Sequence, residues 1–122
     1  MKNEIRIEDS YDSYYETNNK EYHLKNLYHP LDTVSFRYTK EGKLHSLFFL
    51  FGFGGLDEYY FSMEADQLEK IYELLACEKN AKRLVDMLAD RAANMKYSKE
   101  VCELLESAEI KYKLNIFIDE SR

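Results

Sequence analysis

Apolar residues recur along this chain at two spacings. Through residue 63 the dominant period is two, over 64–108 it is three to four, and over 110–118 it returns to two. The most apolar stretch, 44–53, places Leu47, Phe49, Phe51 and Phe53 on one pleat face and Phe48 and Leu50 on the other, because strand side chains alternate. A strand apolar on both faces belongs in the middle of a sheet. Gly54 and Gly55 then fit a hairpin turn, where glycine takes positive φ without a Cβ clash. The returning strand, 58–63, alternates Tyr59, Phe61 and Met63 against Glu58, Tyr60 and Ser62.

Upstream, 33–39 alternates with Val34, Phe36 and Tyr38 inward, and 40–43 reads as a tight turn into the central strand. Residues 3–8 alternate as a short edge strand. Between 9 and 20 two readings compete. Tyr11, Tyr14, Tyr15, Asn18 and Tyr22 share a helical stripe, yet tyrosine richness and Asn18-Asn19 favour strands around a turn, so irregular or hairpin structure is expected. Leu24, Leu27 and Tyr28 suggest one helical turn ended by Pro30.

Three helices follow. Over 64–77, Leu68, Ile71, Tyr72 and Leu75 form one apolar stripe, with Ser62 as the expected N-cap. Over 81–95 the stripe is Leu84, Val85, Leu88, Ala92 and Met95; Asn80 is the candidate cap, and Lys82 and Asp86 form an i,i+4 pair of opposite charge. Over 99–108 it is Val101, Leu104, Leu105 and Ala108, behind a Ser98 cap. Residues 110–118 alternate as a strand, which predicts that Ile110, Tyr112, Leu114, Ile116 and Ile118 face the core and that Leu114→Ala costs about 2–5 kcal/mol. The expected fold is α+β: an antiparallel β-sheet built from N-terminal hairpins, three helices packed on one face, and a C-terminal strand returning to the sheet. At 122 residues, without repeat or linker, it is expected to be a single domain spanning 1–122.

Charge narrows the class of partner. The net charge is −6, and Asp57, Glu58, Glu64, Asp66, Glu69, Glu73 and Glu78 face a single base, Lys70, across 57–78. Residues 79–96 invert this balance with Lys79, Lys82, Arg83, Arg91 and Lys96. Nucleic acid is disfavoured as a direct partner, since its binding runs on clustered Lys and Arg. No basic-then-apolar leader opens the chain, and the longest apolar run, 47–51, is far short of a membrane span, so a cytoplasmic protein without membrane association is expected. Cys77 and Cys102 lack zinc or redox spacing and read as reduced thiols.

Candidate chemistry is sparse. Gly52-Phe53-Gly54-Gly55 lacks the spacing of a phosphate loop and leads into a strand. His23, His29 and His45 form no HxH or HExxH pattern; a metal set of His23, His29 and a distant carboxylate has no spacing to support it, so neither metal nor cofactor is expected. No G-x-S-x-G is present, and the expectation is a non-enzymatic protein, with His45 and a neighbouring carboxylate as a lesser enzymatic reading.

The partner-binding candidates are acidic and aromatic. Asp66, Glu69 and Glu73 share an outward helix face, where the like-charged Glu69–Glu73 pair costs a few tenths of a kcal/mol. Tyr11, Tyr14, Tyr15, Tyr22 and Tyr28 interleave with Glu8, Asp9, Asp12, Glu16 and Glu21, and tyrosine is enriched at interfaces, although these rings could instead wrap an open sheet face; Tyr11, Tyr14, Tyr15, Asp12 and Glu16 are the candidates from this segment. Together they suggest a small acidic inhibitor that occludes a basic surface of a partner protein, such as a nuclease or toxin, in the manner of immunity proteins or phage anti-defence proteins. Abundant Lys, Asn, Ile, Tyr and Glu resemble the composition of proteins from AT-rich bacteria and their phages. The alternative is a small-ligand or regulatory domain with a pocket between sheet and helices lined by Phe48, Tyr60 and Tyr72. A homodimer through an unpaired edge strand, 3–8 or 110–118, is a further expectation.

Overall fold

A computed structural model describes residues 3–54 and 57–118. Its six strands are β1 (Ile5–Asp12), β2 (Thr17–Leu24), β3 (Leu31–Tyr38), β4 (Leu44–Phe51), β5 (Glu58–Glu64) and β6 (Lys113–Phe117). They form one antiparallel sheet whose spatial order is the chain order. Helices α1 (Leu68–Leu74), α2 (Ala81–Ala92) and α3 (Ser98–Ser107) all fall between β5 and β6. The α+β architecture with a C-terminal strand rejoining the sheet is therefore present. Gly55 of the expected turn lies outside the described residues, as do 1–2 and 119–122 of the expected domain.

The core lies between one sheet face and the helices. Val34 and Phe36 from β3, Leu47, Phe49 and Phe51 from β4, and Phe61 and Met63 from β5 pack against Ile71, Leu75, Leu84, Val85, Leu88, Val101 and Leu105. Each such side chain contributes roughly 1.5–3 kcal/mol when fully buried, far more than a surface ion pair. Phe49 touches Phe51 edge-on, and Phe51 touches Phe61 in the same way, so the aromatic centre is interlocked along and across strands.

Residues 9–20 take the hairpin of the two expected forms: β1 and β2 pair from Ile5↔Leu24 to Asp12↔Thr17, because β-favouring tyrosines and threonine flank a turn braced by Asp12, whose Oδ1 accepts from Tyr14 N and Tyr15 N at 2.9 and 3.2 Å. Three local expectations are corrected. The stretch before Pro30 is a turn, held by Asn26 Oδ1 accepting from Tyr28 N at 3.0 Å. Ser62 is not a cap but a β5 residue; a 3-10 turn, Ala65–Gln67, follows Glu64 and shortens α1. Lys82 and Asp86 form no ion pair among the described residues, whereas the Asn80 cap is present, its side chain accepting from Arg83 N at 3.0 Å.

β6 departs furthest from expectation. Ile110 is buried, but Tyr112 and Leu114 are half-buried, and Ile116 and Ile118 are exposed. The strand lies at the sheet edge.

Two bulges matter for the uncovered face. Leu31↔Phe51 is followed by Thr33↔Leu50, leaving Asp32 as an extra residue in β3; Arg37↔Ser46 is followed by Tyr38↔Leu44, leaving His45 extra in β4. A bulge re-aims side chains that strict alternation would send to opposite faces.

Candidate functional site

Pairing fixes which residues share the face that none of the described helices covers. One row reads Glu8, Glu21, Ser35, Phe48, Ser62, Lys113; the next reads Arg6, His23, Thr33, Leu50, Tyr60, Asn115. Phe48, Leu50 and Tyr60 belong to no part of the core beneath the helices. β4 is apolar on both sides, and its second side faces outward.

An aromatic path crosses this face. Tyr15, at the β1–β2 turn, lies 5.2 Å from the Arg37 guanidinium, which in turn lies 4.6 Å from the centre of the Phe48 ring. Phe48 neighbours Tyr60 at 6.3 Å, and Tyr60 meets Phe117 edge-on at 5.1 Å. Cation–π contacts of this kind are worth about 0.5–2 kcal/mol each, which orders the Arg37 side chain without neutralising its charge. Among the described residues, Arg37 Nε has no hydrogen-bond partner. The Tyr60 hydroxyl donates to Glu58, and burial together with that hydrogen bond pushes its pKa up to about 12.

Beside this path lies a polar cluster. His23 Nε2 sits 3.4 Å from Glu21 Oε1 and 3.6 Å from Glu8 Oε2, while Arg6 Nη1 lies 2.6 Å from the same Glu8 oxygen. On the other side of the ring, His23 Nδ1 is 3.0 Å from Thr33 Oγ1, which donates to Asp32 Oδ1 at 2.6 Å. The β3 bulge permits that last contact, since neighbouring residues in a regular strand point apart. Ser35, opposite Glu21, is wholly buried with its hydroxyl unpartnered.

The expected partner-binding residues fall in two places. Tyr11, Asp12, Tyr14, Tyr15 and Glu16 gather at the β1–β2 hairpin end, with Tyr14 84% exposed and Tyr11 and Tyr15 just over half exposed. Glu16 adopts φ 52°, a left-handed conformation that a side chain with Cβ disfavours, and its carboxylate lies 3.9 Å from Lys40. Asp66, Glu69 and Glu73 lie on the segment after β5. Glu69 is paired with Lys79 at 3.0 Å, which relieves the like-charge contact; Glu73 has no ion pair among the described residues.

Other expectations are corrected by the facing of the strands. Phe48 and Tyr60 lie on the uncovered face, whereas Tyr72 packs against the core, so they line no common pocket. Depressions of about 650 and 450 Å³ occur at strand ends, and no residue of α1, α2 or α3 lines either. His29 accepts from Leu31 N at 3.0 Å and does not join His23; His45 contacts the Ser46 hydroxyl at 3.0 Å and forms no ion pair among the described residues. The expected tyrosine wrap is partial: Tyr15 lies over the uncovered face, Tyr22 is in the core, and Tyr28 is exposed. Cys77 and Cys102 are free, and burial pushes the Cys77 thiol up.

Sequence reasoning missed Arg37, and it weighed His23 with His29 and not with Glu8 and Glu21. Alternation does place Glu21 and His23 on one face of a strand, but only the β1–β2 register brings Glu8 to them. Among the described residues, no helix is long and apolar enough to cross a membrane. The chain matches no family model, no curated protein and no solved structure.

Proposed function

We propose that the protein is a non-enzymatic binding protein that presents its uncovered sheet face and the β1–β2 hairpin end to a basic surface of another protein. The observation that carries this reading is the aromatic path Tyr15–Arg37–Phe48–Tyr60–Phe117 on a face that no helix covers. An aromatic strip rimmed by charge is the usual anatomy of a docking surface. Acids outnumber bases here: Glu8, Glu21, Glu58 and Glu64 share the face with Arg6, Arg37 and Lys113, and Asp12 and Glu16 stand at its end.

Glu16 adds support. A residue held in the left-handed region costs the fold about 1 kcal/mol relative to glycine, and among the described residues its carboxylate makes only an exposed ion pair with Lys40 at 3.9 Å, worth about 0–1 kcal/mol. Retaining it is understandable if its charge acts on something outside the chain. Relative to the expectation from sequence, the centre of the surface moves from α1 to the sheet, because Glu69 is already neutralised by Lys79. Occlusion of a nuclease or toxin, as an immunity or anti-defence protein, is the particular role that acidity and size suggest.

The test is capture of a partner from the native host on the tagged chain at low salt, with elution at high salt. The expected result is one basic protein, retained equally by a Glu69→Lys, Glu73→Lys double variant but lost on Asp12→Lys with Glu16→Lys or on Phe48→Ala. Capture that ignores salt and survives both latter changes would refute this reading.

A further inference from the structure

The orientation of the His23 ring can be worked out atom by atom. The Thr33 hydroxyl has one proton and donates it to Asp32 Oδ1 at 2.6 Å. At 3.0 Å from His23 Nδ1 the same oxygen must therefore accept, which puts the ring proton on Nδ1. In the neutral ring Nε2 is then a bare lone pair. It is shielded from solvent, has no hydrogen-bond partner among the described residues, and faces carboxylate oxygens of Glu21 and Glu8 at 3.4 and 3.6 Å.

With the ring neutral, three acceptors thus converge with no proton of the ring between them. Such an arrangement is repulsive unless something positive occupies the middle. Arg6 does not fill that place: it engages Glu8 alone, at 2.6 Å. From these three side chains we infer a divalent transition-metal site formed by His23 Nε2, Glu21 and Glu8.

The spacing fits a small tetrahedral ion. Ligand atoms about 2.0–2.2 Å from such an ion lie about 3.3–3.6 Å from one another. The two nitrogen–oxygen separations are 3.4 and 3.6 Å, and all three donors lie within 4.8 Å of each other. One imidazole with two carboxylates suits Zn²⁺, Co²⁺ or Mn²⁺; an all-oxygen set would suit Mg²⁺ or Ca²⁺ better, and thiolates would suit Cu⁺. The Thr33–Asp32 pair does what outer partners of a metal-binding histidine do, holding the tautomer and orienting the ring.

A separate observation points to a ligand at the same place. Ser35 is wholly buried, its hydroxyl has no partner, and it stands directly opposite Glu21 on this face. A buried hydroxyl without a partner is uncommon, and a metal-bound water beside Glu21 would supply one. The site does not depend on the docking reading, since it is defined by side chains of one chain.

The test is titration of the chelator-stripped chain with Co²⁺, read by the visible absorption of the bound ion, and with Zn²⁺ by calorimetry. One ion per chain is expected. His23→Gln and Glu21→Gln should each weaken binding at least tenfold, and Thr33→Val should weaken it by about tenfold through loss of ring orientation. Arg6→Ala, which removes a competing cation from Glu8, should strengthen binding. His29→Gln and His45→Gln should leave it unchanged. Circular dichroism checks that each variant is folded; if His23→Gln is not, Glu21→Gln and Arg6→Ala, which move in opposite directions, decide. Absence of one-to-one binding at millimolar metal, or binding indifferent to His23→Gln and Glu21→Gln, would overturn the assignment.

Discussion

Replacing Ser35 by alanine should make the protein more stable. Its hydroxyl is fully removed from solvent in the middle of β3 and has no hydrogen-bond partner. A buried hydroxyl left unpartnered costs about 1–3 kcal/mol relative to its solvated state. Against this stand the lost contacts of one oxygen atom and the weaker strand preference of alanine, which on a scale spanning about 1 kcal/mol recovers only part of the gain. The net expectation is stabilisation by about 1 kcal/mol, a rise in Tm of about 3–6 °C for a domain of this size. With no tryptophan, urea unfolding is followed by circular dichroism and tyrosine fluorescence, and the midpoint should rise at constant m. Thr33→Val supplies the contrast, because that hydroxyl does have partners, Asp32 and His23. It should destabilise by about 1–3 kcal/mol. A fall in the Ser35→Ala midpoint at unchanged m, similar to that of Thr33→Val, would refute the reasoning by showing the Ser35 hydroxyl to be satisfied in the metal-free protein.

Three further outcomes are expected. Leu114 is half-buried on an edge strand whereas Ile110 is 3% exposed, so Leu114→Ala should cost about 1–2 kcal/mol and Ile110→Ala about 2–5 kcal/mol, measured by the same unfolding assay. Glu16→Asn, which suits the left-handed conformation at φ 52°, should stabilise by about 0.5–1 kcal/mol while weakening capture of a basic partner. Tyr60 should ionise near pH 12, seen as a tyrosinate absorbance difference between wild type and Tyr60→Phe, and Glu58→Gln should move that ionisation lower. Since the folded pKa is raised above the ordinary value of 10.0, the stability contribution is complete below about pH 10 and declines as the pH climbs towards 12.

The strands from 31 to 63 and the three helices were legible because their apolar periods are long and unbroken. The β1–β2 hairpin was only half legible: tyrosines at 11, 14, 15 and 22 fit a helical stripe as well as a strand, and the deciding partners lay in the neighbouring strand. For β6, perfect alternation gave too much burial. Period two says which side a residue faces and not how much covers it: Ile116 and Ile118 are exposed at the edge of the sheet. The polar cluster was illegible for another reason. Its geometry depends on β1–β2 register and on the extra residue at Asp32, and neither leaves a spacing signature in the chain.

The meander has a consequence for how the chain assembles. From β1 to β5 each strand meets the one made just before it, so pairing can advance like a zip while the helices are still being synthesised. β6 is different: Phe61 finds Leu114 only after more than fifty intervening residues have been laid down. Until then the outer rim of β5 is bare, and a newborn chain halted at that stage exposes an adhesive border. The last strand therefore works as a latch, shielding its predecessor from other chains.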